Sequence, residues 1–429
     1  MGSRFICIAL ILLPIMIVAC EGNTNVRAVA SNLERRSPVL AGEDLQVLYS
    51  GMRELAFDLY ARQASGKDNL VMSPASIQIA LAMAYAGARG ETASQMAQAL
   101  RFALPAERLH AALNTVDTML ASRNRSHPPG HHGKQRKIEL SIANALWGQD
   151  GFVFQRLFLD TLATEYGSDM KIVEFKKASD EARKMINGWV ADQTNDRIEE
   201  LVPQGVLNEL TRLVLTNAVY LDATWAFPFE AKDTNAHDFV LLDDSKTLVQ
   251  MMCQSAMFPY AKGPGWQAVE LAYVGGELAM LILVPDTGRY AEVEQAVAEG
   301  VIEKARISLV DRRVELGLPK FEFRSNTRLA DLLRELGMRD AFDRTKADFS
   351  GMTTKEPLCI SEVLHEAFIK VDEEGTEAAA ATAVVMELAA ALPPEDLVRL
   401  IIDRPFIFSL HDRKTGVILF LGRVLNPGQ

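Results

Sequence analysis

The sequence predicts an α+β domain whose helices crowd the N-terminal part and whose strands dominate the C-terminal third. Before Ser122 apolar residues recur at three-and-four spacing. From Lys137 onward many lie in long runs, such as Thr211 to Trp225 and Leu278 to Val284, that do not alternate with polar residues. The first pattern is that of amphipathic helices, the second that of strands covered on both faces. With 429 residues, 48% hydrophobic and 24% charged, the chain can bury a large core. Its net charge of −11 argues against a general nucleic-acid-binding surface.

The chain opens with one Arg and an apolar run from Phe5 to Ala19 that is short for a membrane span and ends at small residues, the pattern of a signal peptide. Ile17-Val18-Ala19-Cys20 resembles a bacterial lipobox, which implies lipidation of Cys20; a plain secretory signal cut nearby is the alternative. Gly2 does not make a myristoylation site, because position 6 is Ile. Residues 21–43 are polar and aperiodic, as expected of a tether. Beyond Cys20, Cys253 and Cys359 offer no disulfide framework, and both sit in apolar runs as small buried hydrophobes.

The domain is expected over 44–429. Leu45, Leu48, Met52, Leu55 and Leu59 mark a first helix. Ser73-Pro74 reads as an N-cap with Pro at the first helical position, opening a buried helix with Ile77, Leu81 and Tyr85. Helices follow at Glu91 to Phe102 and Pro105 to Ser122, then at Phe154 to Tyr166 and Ser179 to Asn195. Strands are expected at Lys137 to Trp147, Thr211 to Trp225, Phe239 to Met252, Gln267 to Tyr273 and Leu278 to Val284. Further helices are expected near Ala291 to Ala305 and Thr327 to Leu336.

Arg123 to Lys137, RNRSHPPGHHGKQRK, is a basic, His-rich stretch read as a loop from its Pro-Pro-Gly. A solvated insertion is the simplest reading. Polyanion docking, or metal capture by His127, His131 and His132, are the functional ones, though no carboxylate or Cys lies at ligand spacing. Enzyme motifs are fragmentary. Ser168-x-x-Lys171 and Lys414-Thr415-Gly416 lack an S-D-N between them, and His365-Glu366 begins an H-E-x-x-H that fails at Ile369. No catalytic residues, cofactor or metal site are expected.

One stretch does not fit a connector. Between the strand-like LCISEVLHEAFIKV and PFIFSLHD runs VDEEGTEAAAATAVVMELAAALPPED, Val371 to Asp396, too long and too apolar for a turn. Read with a period of two, Thr376, Ala378, Ala380, Thr382, Val384, Met386 and Leu388 share one face, with Glu377 and Glu387 on the other. Composition leaves an Ala-rich helix equally open. The run EEGTEAAAATAVV resembles the reactive-loop hinge of the serpins, at Glu373, Glu374, Gly375, Thr376, Glu377, Ala378, Ala379, Ala380 and Ala381. NLVMSPASIQIALAMAYAGARGET, LTNAVYLDATWAFPF, LPKFEF and RPFIFSLHDRKTGVILFLGRV resemble other serpin segments, in the family's order, across nearly the whole span from Asp44 to Pro427.

That resemblance implies a metastable serpin fold with an exposed reactive loop at about 372–396, in a bacterial, lipoprotein-type, monomeric inhibitor that traps a serine protease as a covalent acyl complex. It implies a shutter of Ser73, Ser76, Asn217 and His365, and places Trp225 near the loop's point of entry. Counting onward from Gly375 as the family does puts the scissile bond at Ala389-Ala390. The stretch from there to Pro405 is longer than usual, so Leu388-Ala389 and Met386-Glu387 stay open. Ala suits elastase-like or subtilisin-like proteases and Leu chymotrypsin-like ones. A non-inhibitory serpin, a chaperone or carrier, is the other implied function.

Overall fold

The structure, a computed structural model, describes residues 26–38, 42–129, 135–376 and 397–428. Strand β1 (Ala28–Val29) precedes α1 (Gly42–Gln63), in which Leu45, Leu48, Met52, Leu55 and Leu59 are all buried, as their spacing predicts. From β2 (Leu70–Met72) the chain enters α2 (Pro74–Tyr85), buried on every side from Pro74 to Ala84. A helix without a polar face belongs inside. Helices α3 (Gly90–Ala99) and α4 (Ala106–Ala121) follow it.

Strands β3 (Arg125–His127) and β4 (Arg136–Gln149), helix α5 (Arg156–Tyr166), strand β5 (Met170–Val173), helix α6 (Ser179–Gln193) and strand β6 (Leu213–Thr224) come next. Then come β7 (Thr234–Val240), β8 (Lys246–Gly263), β9 (Trp266–Ala272) and β10 (Leu278–Pro285). After helices α7 (Tyr290–Gln295) and α8 (Val301–Ile307) run β11 (Val310–Pro319), β12 (Phe321–Arg328) and helix α9 (Ala330–Glu335). The described chain closes with β13 (Glu362–Val371), β14 (Gly375–Thr376), β15 (Leu397–Ile401), β16 (Phe406–Asp412) and β17 (Ile418–Val424).

Two sheets result. One has the order β1-β5-β4-β6-β14-β13-β12 with β3 beside β4; the other runs β15-β11-β8-β9-β10-β16-β17-β2 with β7 beside β8. Helix α2 touches β4 and β6 of the first and β17 of the second, so the main core lies around it. A smaller core, with Trp147, Phe175, Ile186, Val190 and Val214, fills the space between α6 and the outer face of the first sheet. Every residue of β6 is buried, because α2 covers one face and the smaller core beneath α6 the other. This is the physical origin of its non-alternating sequence.

The observed elements differ from the expected ones where turn chemistry was overlooked. The expected strand Phe239 to Met252 is a hairpin of β7 and β8, since Asp244 takes φ 64° and the Asp243 carboxylate accepts from Ser245 N–H and Oγ. The expected helix Ala291 to Ala305 is broken into α7 and α8 by Gly300 at φ 78°. The expected helix Thr327 to Leu336 starts only at Ala330, because β12 runs to Arg328.

The polar segment expected to be a tether over 21–43 is not free between Arg27 and Arg36. Strand β1 adds to the outer edge of β5, while Arg35 and Arg36 reach Asn114, Asp117 and Glu165 on α4 and α5. Most of these contacts are polar or made by the backbone, with only Val26 and Val29 packing on the two cores, so hydrophobic periodicity carries little trace of them. Cys253 and Cys359 are free and half-buried, and burial pushes both thiols up.

Candidate functional site

The site lies where the first sheet narrows. From Glu362 opposite Val214 to Phe368 opposite Tyr220, β6 and β13 pair directly and in parallel. Beyond this, β14 stands between them, antiparallel to both: Thr376 faces Ala223 on one side and Val371 on the other, and Gly375 faces Thr224. The hinge thus begins as a strand already wedged into the sheet. Gly375 is needed for that wedge, because a Cβ there would lie 2.0 Å from the Ala223 carbonyl oxygen. Thr376 is wholly buried, its hydroxyl 2.5 Å from that of Tyr273, itself wholly buried. Burial pushes the Tyr273 phenol well up, so it stays a neutral partner.

Trp225 holds the wedge from the second sheet's side. Its ring stacks on Tyr273 at 4.4 Å and 16° between planes, and its Nε1–H donates to the Asp372 carbonyl at 3.1 Å. Backbone N–H groups of Trp225 and Phe229 donate to the carbonyls of Glu374 and Glu373, both at 2.8 Å. Asp372 accepts from the amides of Glu374 and Gly375, closing the turn. Burial pushes its carboxyl up against those two bonds. Glu373 receives Thr234 Oγ1–H and Lys320 Nζ–H, each at 2.8 Å. Burial opposes its charge, but Lys320 with the backbone and Thr234 outweigh it and hold the carboxyl below its ordinary range.

The expected shutter residues come together below the wedge. Ser73 N–H donates to His365 Nε2 at 3.1 Å, so Nδ1 carries the proton and donates to Asn217 Oδ1 at 2.5 Å. Asn217 Nδ2 in turn donates to Ser76 Oγ and to Asn144 Oδ1. The network joins the start of α2 to β4, β6 and β13, and His365 and Asn217 are direct partners across the β6–β13 seam. Such a buried cluster must be satisfied to be stable. Burial pushes His365 down to about 3, so the ring is neutral. Ser73 occupies the N-cap position, yet its hydroxyl makes no cap bond and is buried without a partner; the residue takes part through its amide.

Sequence reasoning missed Asn144, Tyr273, Asp372 and Lys320. Asn144 had a signal, a lone carboxamide in the apolar run IANALW; the others show only once distant strands are brought together. Glu377, Ala378 to Ala381, Met386, Leu388, Ala389 and Ala390, like Cys20, lie outside the described residues. In the basic stretch, expected to be a loop, Arg125–His127 form β3, while His131 and His132 also lie outside. Its described cations have partners: Arg123 with Asp412 and Glu277, Arg125 with Glu277, Lys137 with Glu139 and Asp222, and Arg136 with the Ala226 carbonyl. Among the described residues no cluster of three or more His, Cys, Asp or Glu could hold a metal ion.

Residues 50–427 match the serpin (serine protease inhibitor) family. A serpin-like protein of Thermococcus kodakarensis is 39% identical, over 88% of this chain and 85% of its own. Leukocyte elastase inhibitor A of Rattus norvegicus is 37% identical, over 85% of this chain and 95% of its own. The native-state crystal structure of tengpin, a thermophilic serpin, superposes with a TM-score of 0.81 at 27% identity, covering 94% of this chain and 99% of that one. With two sheets around a buried helix and the hinge wedged at the seam, the chain belongs to the serpin family.

Proposed function

We propose that this protein inhibits serine proteases as a suicide substrate. The protease attacks the reactive loop and forms an acyl-enzyme. The loop's N-terminal part then zips into the large sheet between β6 and β13, dragging the bound enzyme away and distorting its active site. The observation that carries this reading is β14, a strand of the correct polarity already started at the top of a seam whose lower part is still closed. Continuing its register would set Thr382 against Asn217 and His365, so full insertion would pass through the shutter. That insertion works against the closed seam, whose parallel pairs it replaces with antiparallel ones.

Adding roughly twelve to fifteen residues at about 0.5 to 1.5 kcal/mol per hydrogen bond gives on the order of 10 to 20 kcal/mol. A protease's folding stability is about 5 to 15 kcal/mol, so this suffices to deform it. Small side chains at Ala378, Ala380 and Thr382 on the inward face suit fast zipping, which must outrun hydrolysis of the acyl bond.

Cleavage at Ala389-Ala390, or alternatively at Leu388-Ala389 or Met386-Glu387, suits elastase-, subtilisin- or chymotrypsin-like targets; that a relative is named a leukocyte elastase inhibitor supports the first of these. We place the protein outside the cell membrane as a monomer, lipid-anchored at Cys20 in a bacterial envelope or secreted. The test is incubation with a panel of serine proteases, then denaturing gels and the mass of the released C-terminal peptide. A complex stable to SDS supports the reading and the peptide mass locates the bond. Cleavage by every protease without any complex overturns it in favour of a non-inhibitory serpin.

A further inference from the structure

We propose that the edge of the molecule built from the turn 150–153, the first turn of α5 and the docked segment 27–33 is a membrane-contact surface, its partner the lipid bilayer that holds Cys20. This inference rests on the lipid-anchored form of the reading above. Three large aliphatic side chains stand in solvent along this edge: Leu157 is 79%, Val153 54% and Leu33 47% exposed. Scattered singly, such side chains need no explanation. Here the docked segment gathers them. Arg27 Nη1 donates to Asp150 Oδ1 at 2.8 Å, three residues before Val153. Ser31 Oγ donates to Asp160 Oδ1 at 2.5 Å, three residues after Leu157, and accepts from Leu33 N–H at 3.2 Å. Arg156, also exposed, lies 3.8 Å from Asp160. Both arginines thus have a carboxylate neighbour, so the aliphatic groups supply the affinity and the guanidinium heads reach past them to the lipid phosphates.

The route of the chain says what covers this edge. Val26 packs on the smaller core and Arg27 holds the Asp150 carboxylate, so the segment is fixed from there on. From Cys20 to Val26 there are six peptide steps, which fully extended span at most about 21 Å. A lipid on Cys20 therefore keeps the edge within about 21 Å of the bilayer. On so short a leash the second contact is intramolecular, and apolar groups too few to hold a free protein on a membrane suffice to orient a tethered one. The wedge lies at the other end of the sheet. β4 leads into the turn 150–153 from Gly148, which faces Leu213 of β6, whereas the wedge faces Ala223. The ten residues between Leu213 and Ala223 span about 33 Å, so the reactive-loop end points away from the lipid toward soluble enzymes. Full insertion in the register of β14 would bring Met386 opposite Leu213, at the lipid-facing end, so the contact belongs to the uncleaved molecule.

The test uses the full chain, produced with its leader and reconstituted uncleaved in phosphatidylcholine vesicles, either plain or brominated on the acyl chains. Bromine quenches a tryptophan that enters the bilayer. Leu157→Trp is compared with Leu248→Trp on β8, where the leucine is 73% exposed and the neighbouring β7 starts at Thr234, bonded to Glu373 beside the wedge. Emission of the added indole, taken as the difference from wild type, is expected to fall about twofold or more in brominated vesicles for Leu157→Trp and to stay unchanged for Leu248→Trp. If neither indole is quenched, if both are quenched alike, or if only that of Leu248→Trp is, the anchored molecule does not rest on this edge and the proposal fails while the anchor stands. A mature chain whose mass shows no lipid on Cys20 removes the anchored reading itself, and this proposal with it.

Discussion

On the proposed mechanism, Thr376 is where a single side chain would decide between inhibitor and substrate. It is wholly buried with its hydroxyl on Tyr273, in a slot bounded by Ala223 and Val371. An arginine there would have to bury a charge without a partner, costing several kcal/mol, so β14 would be expelled from the sheet and the start from which insertion proceeds would be lost. We expect Thr376→Arg to be cleaved at the normal rate but to form no SDS-stable complex, whereas Thr376→Ser keeps complex formation; gels of the two variants with one target protease decide the matter. The position was singled out in the sequence by its place on a period-two face and by the resemblance of its run to a hinge. Tyr273 was not, since nothing local marks a tyrosine as the partner of a residue a hundred positions away.

His365 makes a second prediction at the same scale. The folded chain keeps it neutral, with burial pushing it down to about 3 from an ordinary 6.5. Between those values the unfolded chain binds a proton that the folded chain refuses. Stability contributed by the neutral ring is therefore complete above 6.5 and is lost progressively as pH falls. His110, pushed down to about 4 by burial, acts with the same sign. From pH 6.5 to 5 each such histidine lowers the unfolding free energy by up to about 1.4 kcal/mol per pH unit. Urea titrations at several pH values should give a shallower slope for His365→Asn than for wild type. Equal slopes would show that this ring does not stay neutral in the fold.

Among the elements, the seam between β6 and β13 is the one whose opening the proposed mechanism demands. Val219 and Ala367 are direct partners across it, both buried. Their Cα atoms should lie about 4.8 Å apart, within the span of a disulfide. In the double variant Val219→Cys/Ala367→Cys the oxidised protein should be cleaved as a plain substrate, and reduction should restore the complex. Inhibition that persists with the bond closed would mean the strand enters elsewhere. Strands buried on both faces were legible from their unbroken apolar runs, α1 from its three-and-four spacing and α2 from the Ser73-Pro74 start of an apolar run. The β7–β8 turn and the break between α7 and α8 were not, because they depend on positive φ angles at Asp244 and Gly300. Nor could pattern reveal that β13 runs parallel to β6, a pairing fixed by distant partners.

For the whole molecule, the claim is that the native arrangement is not the most stable one the chain can reach. A gain on the order of 10 to 20 kcal/mol, spread over the unfolding entropy of a chain this size, should raise the melting temperature of the loop-cleaved protein by on the order of 10 °C or more. Calorimetry of intact and cleaved samples measures it directly, and coincident transitions would mean that no energy is held back. The α+β class was readable from the overall distribution of helical and strand patterns, and the family from its hinge. The docked N-terminal segment was invisible to sequence reasoning, because its contacts are made mainly by arginines, a serine and main-chain groups, and its two packed valines, Val26 and Val29, are too few to set a period.

The indole of Trp225 lies face to face with Tyr273 and holds the carbonyl of Asp372, the residue just ahead of the wedge. Its emission colour and intensity therefore report on that segment, while Trp147, whose indole donates to Thr216 of β6, reports on the seam below. The molecule carries its own optical gauge, and a stopped-flow trace could time the capture of an enzyme with no dye attached.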